Sequence, residues 1–85
     1  MKRIGVIGIV VSGDRSVTTQ LQSILYDYGD IIVGRMGVPM PDKNISAISV
    51  IVSGCNERIT ALTGKLGRLN NINIKSALTS IELED

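Results

Sequence analysis

The sequence predicts an α+β fold in which two helices cover one face of a four-stranded antiparallel sheet. The first observation behind this prediction is a repeat. An aliphatic run that ends in Ser-Gly occurs at residues 10–13 and again at 51–54, an offset of 41 positions. The second observation is that each run leads into a segment with helical spacing, which is followed by another aliphatic run. We therefore expect two strand-helix-strand units within a single domain spanning residues 1–85.

The composition limits both the core and the partners. The chain is 44% hydrophobic but has no Trp and no Phe, so the core must be built from aliphatic side chains. Nine basic and eight acidic residues give a net charge of +1. Nucleic-acid-binding domains usually carry a clear basic excess and aromatic stacking residues. We therefore expect no direct binding to nucleic acid.

The inventory of reactive side chains is small. The chain has no His and a single Cys, Cys55. This excludes a classical zinc site, a Cys-His nucleophile and an intrachain disulfide within one chain. We expect no metal, no cofactor and no enzymatic activity. A lone thiol fits a cytoplasmic protein, and the apolar run that follows Met1 is too short to span a membrane.

The first unit is predicted from its apolar spacing. Residues 3–12 form a strand that is aliphatic on both faces, as in the centre of a sheet. A helix at 15–28 carries one apolar stripe, and Gly29 stands where a left-handed residue often ends a helix. A strand at 30–38 contains Arg35, which indicates that one face of this strand is exposed to solvent or that the arginine is paired. Two prolines at 39–44 predict a loop.

The second unit repeats this order. A strand is predicted at 46–53, a helix at 56–70 and a strand at 72–83. Gly64 and Gly67 interrupt the helix, each at a cost of roughly 1 kcal/mol relative to alanine. Asn70 and Asn71 can close it in a left-handed turn.

The order of the elements predicts the topology. Right-handed crossovers in both units give the ferredoxin-like βαββαβ arrangement, in which strands one and three are central. Those two strands carry no charge between residues 4 and 12 or between 46 and 53. Because the helices cover one face only, an aliphatic second face would remain open. We therefore expect a homo-oligomer, a dimer or a tetramer, assembled through a sheet face or an edge strand.

The two strand-helix turns are candidate anion sites. Gly13 and Asp14 in the first turn, like the Ser-Gly-Cys turn at 53–55, precede a helix N-terminus, whose free amides can hold a carboxylate or phosphate. The alternative is structural: glycine makes the turn and Ser or Asp caps the helix.

Three further features have two interpretations each. Arg35, framed by Gly34 and Gly37, can clamp an anion at a subunit interface or be a solvated edge residue. Gly64 and Gly67 share a helix face, which indicates close packing or an interface, or else a surface on which a ligand lies. Cys55 is either a reactive thiol or a small residue near the start of a helix.

The segments Gly34–Met40 and Ala61–Arg68 carry a family resemblance that extends over nearly the whole chain. With the opening strand and turn, they resemble small stand-alone proteins known as iron-only hydrogenase system regulators. These in turn are similar to ACT domains and to the C-terminal domain of the nickel-responsive repressor. The resemblance implies a ferredoxin-like fold, oligomeric assembly and a sensing or regulatory role linked to iron-only hydrogenase maturation.

The resemblance also suggests ligands and partners. ACT domains often bind amino acids between subunits, near the first strand-helix turn and the following strand, which makes Gly13, Asp14, Arg35 and Gly37 candidate ligand residues. A nickel site is not implied, because the chain has no His. Control of transcription would need a separate partner. Two alternatives stay open: a structural module that docks on another protein, and an enzyme that uses Arg35 and Cys55 between subunits.

Overall fold

The computed structural model describes residues 2–13 and 15–83. Asp14 lies outside the described residues. The elements follow in the order β1 (Lys2–Ser12), α1 (Arg15–Asp27), β2 (Ile32–Met40), a 3-10 turn (Pro41–Lys43), β3 (Ile45–Gly54), α2 (Asn56–Gly67) and β4 (Ile72–Leu83). Neither of the two helices in this part of the chain is long and apolar enough to cross a membrane.

The four strands form one sheet in the order β2-β3-β1-β4, and every neighbouring pair is antiparallel. This is the ferredoxin-like topology, as predicted. The two charge-poor strands, β1 and β3, are central, and β2 and β4 form the edges.

The core lies between one face of the sheet and the two helices. Successive residues of a strand point to opposite faces. Accordingly, Ile7 and Ile9 of β1 are 1% exposed, whereas Val6 and Val10 on the other face are 43% and 42% exposed. The helices add their apolar stripes, and the buried set is Ile7, Ile9, Val11, Val17, Leu21, Leu25, Tyr28, Ile31, Val50, Val52, Ile59, Leu62 and Leu66.

The β2–β3 connection is shorter than the predicted loop. β2 continues to Met40, with Pro39 opposite Ser46, so the prediction of a loop from residue 39 was wrong by two residues. The physical reason is that an edge strand tolerates proline, whose missing amide can face away from the ladder. The turn itself is the 3-10 segment, which Asn44 closes in the left-handed conformation with φ 54°.

The two helix ends differ from each other. Gly29 is not left-handed, contrary to prediction. Instead, α1 ends through short-range bonds such as that from the Gly29 N–H to the Tyr26 carbonyl, which satisfy the last carbonyls of the helix. α2 ends at Gly67, three residues before the predicted end, and Asn71 takes the predicted left-handed conformation with φ 59°.

Candidate functional site

A cleft opens on the helix-covered side of the sheet, between α1 and the edge strand β2. Its volume is about 350 Å³. It is lined by Val11, Thr18, Leu21, Gln22, Arg35, Gly37, Val38, Pro39, Ser46 and Ile48. Four elements therefore build it: β1 and β3 provide the floor, α1 forms one wall and β2 forms the other.

The strand register brings Arg35 and Gly37 into this cleft. Directly opposite residues of an antiparallel pair share a face. Arg35 lies opposite the buried Val50, and Gly37 lies opposite Ile48, so both belong to the helix side of the sheet. The face of Arg35 depends on a bulge between Ile32 and Gly34, which shifts the alternation of β2.

The lining combines an apolar floor with a polar wall. Two buried aliphatic side chains, Val11 of the floor and Leu21 of the α1 wall, form the apolar part of the lining. Thr18 and Gln22 lie one helical turn apart on α1 and supply a hydroxyl and an amide. A cleft of this kind suits a ligand with an apolar body and a polar end.

Arg35 is the one charged residue among the lining residues. Its side chain is exposed. The ion pairs between described residues join Arg3 to Glu82 and Arg58 to Asp30, and neither involves Arg35. A guanidinium offers several N–H donors in a planar fork that matches a carboxylate or a phosphate. The cleft can therefore bind an anionic group at its β2 side.

Gly13 lines a smaller hollow that adjoins the cleft. This hollow, of about 100 Å³, shares Val11, Thr18, Pro39 and Ser46 with the cleft. Three of the four candidate ligand residues, Gly13, Arg35 and Gly37, thus lie along one side of the molecule. The fourth, Asp14, is outside the described residues.

The conformation of Gly13 explains why glycine occupies this turn. Its φ is +109°, a value that L-residues with side chains rarely adopt, and a Cβ there would lie 3.1 Å from the side-chain nitrogen of Asn71. The turn is held by hydrogen bonds from the Ser12 N–H to the Asn71 carbonyl at 2.9 Å and from the Gly13 N–H to the Asn44 carbonyl at 3.4 Å. These contacts favour the structural interpretation of Gly13.

In the second Ser-Gly turn, at residues 53–55, the Glu57 carboxylate lies near the N-terminus of α2. Cys55 is the N-cap residue of α2, with extended φ and ψ and no side-chain capping bond. Hydrogen bonds from the Glu57 backbone N–H and, second, from the Cys55 side chain hold the pKa of the Glu57 carboxyl below its ordinary value. A negative charge near a helix N-terminus is favourable, so this contact favours the structural interpretation of the second turn over that of a site for an external anion.

Gly64 and Gly67 have open surroundings. A Cβ built at either position meets no atom within 4 Å. Close packing within the chain is thus not the reason for these glycines. Their role at an interface between subunits stays a prediction.

The described residues include no group of three or more His, Cys, Asp or Glu side chains that could hold a metal ion. Three polar lining residues were not singled out from the sequence: Thr18, Gln22 and Ser46. The available signal was the spacing of Thr18 and Gln22, which places both beside the apolar stripe of α1.

The fold is that of a ferredoxin-like, ACT-like domain. A family model described as "TM1266-like: Iron-only hydrogenase system regulator, putative" matches residues 3–76, and the chain belongs to this family. No curated protein matches the chain.

Solved structures agree with this assignment. An uncharacterized protein from Thermotoga maritima is 28% identical, with a TM-score of 0.89 over 92% of this chain and 98% of that one. The ACT domain of the GTP pyrophosphokinase of Chlorobium tepidum is 15% identical, with a TM-score of 0.77 over 91% of this chain and all of that domain. A protein described as a "putative glycine cleavage system transcriptional repressor" is 15% identical, with a TM-score of 0.72 over this whole chain and 50% of its own length. The two more distant structures show a shared fold.

Proposed function

We propose that this protein is a non-enzymatic, homo-oligomeric sensor that binds a small carboxylate, such as an amino acid, in the cleft between α1 and β2. The family to which the chain belongs supports a regulatory role in the iron-only hydrogenase system. We propose that the protein acts in the cytoplasm, which its single free cysteine fits. The observation that supports ligand binding concerns Arg35. This residue lines the cleft, and its side chain has no ion-pair partner among the described residues.

The size and chemistry of the cleft support this class of ligand. Its volume of about 350 Å³ is near the lower end of typical ligand pockets, roughly 300–1,000 Å³. A carboxylate at Arg35 would gain charge-assisted hydrogen bonds. The rest of a small ligand would contact Leu21 and Ile48, while Thr18 and Gln22 could bind its polar atoms.

The test is a calorimetric and native mass spectrometric screen with the twenty amino acids and their 2-oxo acids. We expect at least one binder, and we expect Arg35→Gln to weaken it by about tenfold or more, because a hydrogen bond to a charged group contributes roughly 1.5–3 kcal/mol. Arg68→Gln is the matched control, since Arg68 is an exposed arginine outside the cleft. A screen without any binder, or equal affinity of Arg35→Gln and the wild type, would contradict the proposal.

A second candidate function is a module that docks on a partner protein without a ligand. The observation that favours it is the uncovered sheet face, on which Val6, Val10, Met36, Val38 and Ile51 are exposed. A pull-down from cells with an intact hydrogenase system distinguishes the two functions. One specific protein that is retained by wild type and Arg35→Gln alike, in the absence of added ligand, would favour docking.

A further inference from the structure

The sheet face that the helices leave uncovered contains an apolar hollow. Its volume is about 250 Å³, and residues of β1, β2 and β3 form it. The lining is mostly apolar and consists of Gly8, Ile9, Val10, Met36, Val38, Ala47, Ile48 and Ser49. The uncovered face therefore has space into which an apolar side chain of another molecule can insert.

Packing within the described part of the chain does not require glycine at position 8. The φ of Gly8 is not in the left-handed region, and a Cβ there would meet only the Lys75 carbonyl oxygen, at an ordinary 3.8 Å. In Gly5 of the same strand, by contrast, a Cβ would lie 3.3 Å from three atoms of the chain. Glycine weakens the interior of a strand and often marks a close approach of another group. Gly8 thus indicates a contact from outside the chain.

The strand register arranges the uncovered face in rows that cross the sheet, because directly opposite residues share a face. The central row, from β2 to β4, consists of Met36, Ser49, Gly8 and Lys75. The rows beside it consist of Gly34, Ile51, Val6 and Ala77, and of Val38, Ala47, Val10 and Asn73. Among these residues the one charge is that of Lys75, on the edge strand β4.

Along two of these rows, β1 and β2 carry opposite patterns of large and small residues. In the central row, β2 has Met36, which is 66% exposed, and β1 has Gly8. In the neighbouring row, β2 has Gly34 and β1 has Val6, which is 43% exposed. A projecting side chain on one strand is thus matched by a glycine on the other.

We propose that two copies of this chain pack with their uncovered faces together about a two-fold axis along β3, so that Met36 of each copy fills the hollow at Gly8 of the other. Rotation about this axis places β2 of one copy over β1 of its partner and leaves every row in place. It also brings Val6 over Gly34 of the partner subunit. The inference rests on the oligomeric part of the proposed function and needs no ligand.

The pattern of the face favours this axis over one that crosses the strands. An axis across the strands at the central row would place Met36 against Met36 and Gly8 against Gly8. It would also bring Lys75 against Lys75, and burying two like charges between the faces is unfavourable. The axis along β3 instead leaves β4 beyond the edge of the partner's sheet, where Lys75 stays in water.

A second copy of this chain is the occupant that the face fits. A two-fold interface uses the same patch on both subunits, so the projection and the hollow must lie on one face, as Met36 and Gly8 do. A methionine side chain is unbranched and adapts to irregular space. In these rows β1, β2 and β3 carry no charge, so two copies meet without repulsion. Sheets that pack face to face keep their strands within about 30° of each other, as an axis along β3 requires.

The test uses two variants that are defective alone and complementary together. Gly8→Met fills the hollow, and Met36→Gly removes the side chain that fills it. For either variant alone we expect the dissociation constant of the dimer, measured by sedimentation, to rise about tenfold or more, because overpacking and cavities both weaken a packed contact. In the mixed dimer each methionine faces a glycine. Native mass spectrometry of an equal mixture should therefore show the mixed dimer well above the half expected from random pairing.

Lys75→Met is the matched control, since it introduces the same side chain in the row of Gly8 but outside the proposed interface. It should leave the dissociation constant unchanged. A second pair, Gly34→Leu and Val6→Ala, tests the neighbouring row in the same way. The fold has room at Gly34, where a Cβ meets nothing within 4 Å. Circular dichroism checks that each variant is folded, and if one pair fails to fold, the other pair decides.

Two outcomes would overturn the inference. Random pairing in the mixtures of folded variants would assign the oligomer to another surface and leave the proposed function intact. A monomeric wild type would also refute the assembly in the proposed function, and would leave the uncovered face to a partner protein. Binding of a carboxylate at Arg35 is measured separately, so the ligand part of the proposed function stands or falls on its own test.

Discussion

Gly54 occupies a position at which even a methyl group would collide with the core. It ends β3, and a Cβ built there lies 2.9 Å from Cγ2 of Ile31. Ile31 is buried and cannot move aside freely. The main chain is held as well, because the neighbouring Ser53 N–H donates to the Ile31 carbonyl at 2.8 Å.

Gly54→Ala should therefore lower the free energy of unfolding by about 1–3 kcal/mol, the usual cost of overpacking a well-filled interior. The measurement is urea denaturation followed by circular dichroism. Gly34→Ala is the matched control in a strand, since a Cβ there meets nothing within 4 Å. We expect the control to be neutral or slightly stabilising. Equal effects of the two substitutions would contradict this account.

The candidate site shows what single residues reveal before the fold is known. Arg35 and Gly37 stand out in the sequence, because an arginine framed by glycines is unusual in a strand. Thr18 and Gln22 do not stand out, because polar residues beside an apolar helical stripe are ordinary. Their role depends on the distance between α1 and β2, which is a property of the packed structure.

Helix α2 contains a glycine that lowers its stability, and no contact within the chain explains this residue. Gly64 lies inside the helix, where glycine is about 1 kcal/mol less favourable than alanine, yet its surroundings are open. Gly64 therefore either contacts another subunit or has no structural role in the folded protein.

Gly64→Ala should raise the free energy of unfolding by about 1 kcal/mol, because alanine restricts the unfolded chain and favours the helix. The reverse substitution at an exposed position of the same helix, Ala61→Gly, is the matched control and should lower it by a similar amount. Thermal and urea unfolding would measure both. If Gly64→Ala instead weakens assembly, measured by analytical ultracentrifugation, Gly64 lies at a contact between subunits. A loss of stability without a change of assembly would contradict both explanations.

The ends of the elements were less predictable than their centres. Apolar spacing placed all six helices and strands, since burial favours one periodicity over the other along a whole segment. The end of β2 depended on its place at the sheet edge, which lets Pro39 continue the strand. The end of α1 at Gly29 depended on short-range hydrogen bonds that sequence patterns do not distinguish from a left-handed turn.

At the scale of the whole molecule, the internal repeat predicted the topology of the sheet. A single chain, however, leaves one face of this sheet uncovered. Both faces of β1 and β3 are aliphatic, and the helices cover only one of them. On the uncovered face, Ile51 is 42% exposed and Met36 is 66% exposed. Monomeric proteins seldom expose a large continuous apolar patch. A second copy of this chain can cover it through a two-fold interface that uses the same surface on both subunits.

Ile51→Lys should therefore dissociate the proposed oligomer, because it places a charge in the middle of the apolar face that we propose as the interface. Ile51 lies on β3 opposite Val6 of β1, at the centre of the uncovered face. Tyr26→Lys is the matched control: Tyr26 is 86% exposed, but it lies on α1. Light scattering coupled to size exclusion should show an oligomer for wild type and Tyr26→Lys and a folded monomer for Ile51→Lys. If Ile51→Lys remains oligomeric, the interface would lie at the edge strands β2 and β4 instead. A wild-type protein that is monomeric at micromolar concentration would refute the proposed assembly.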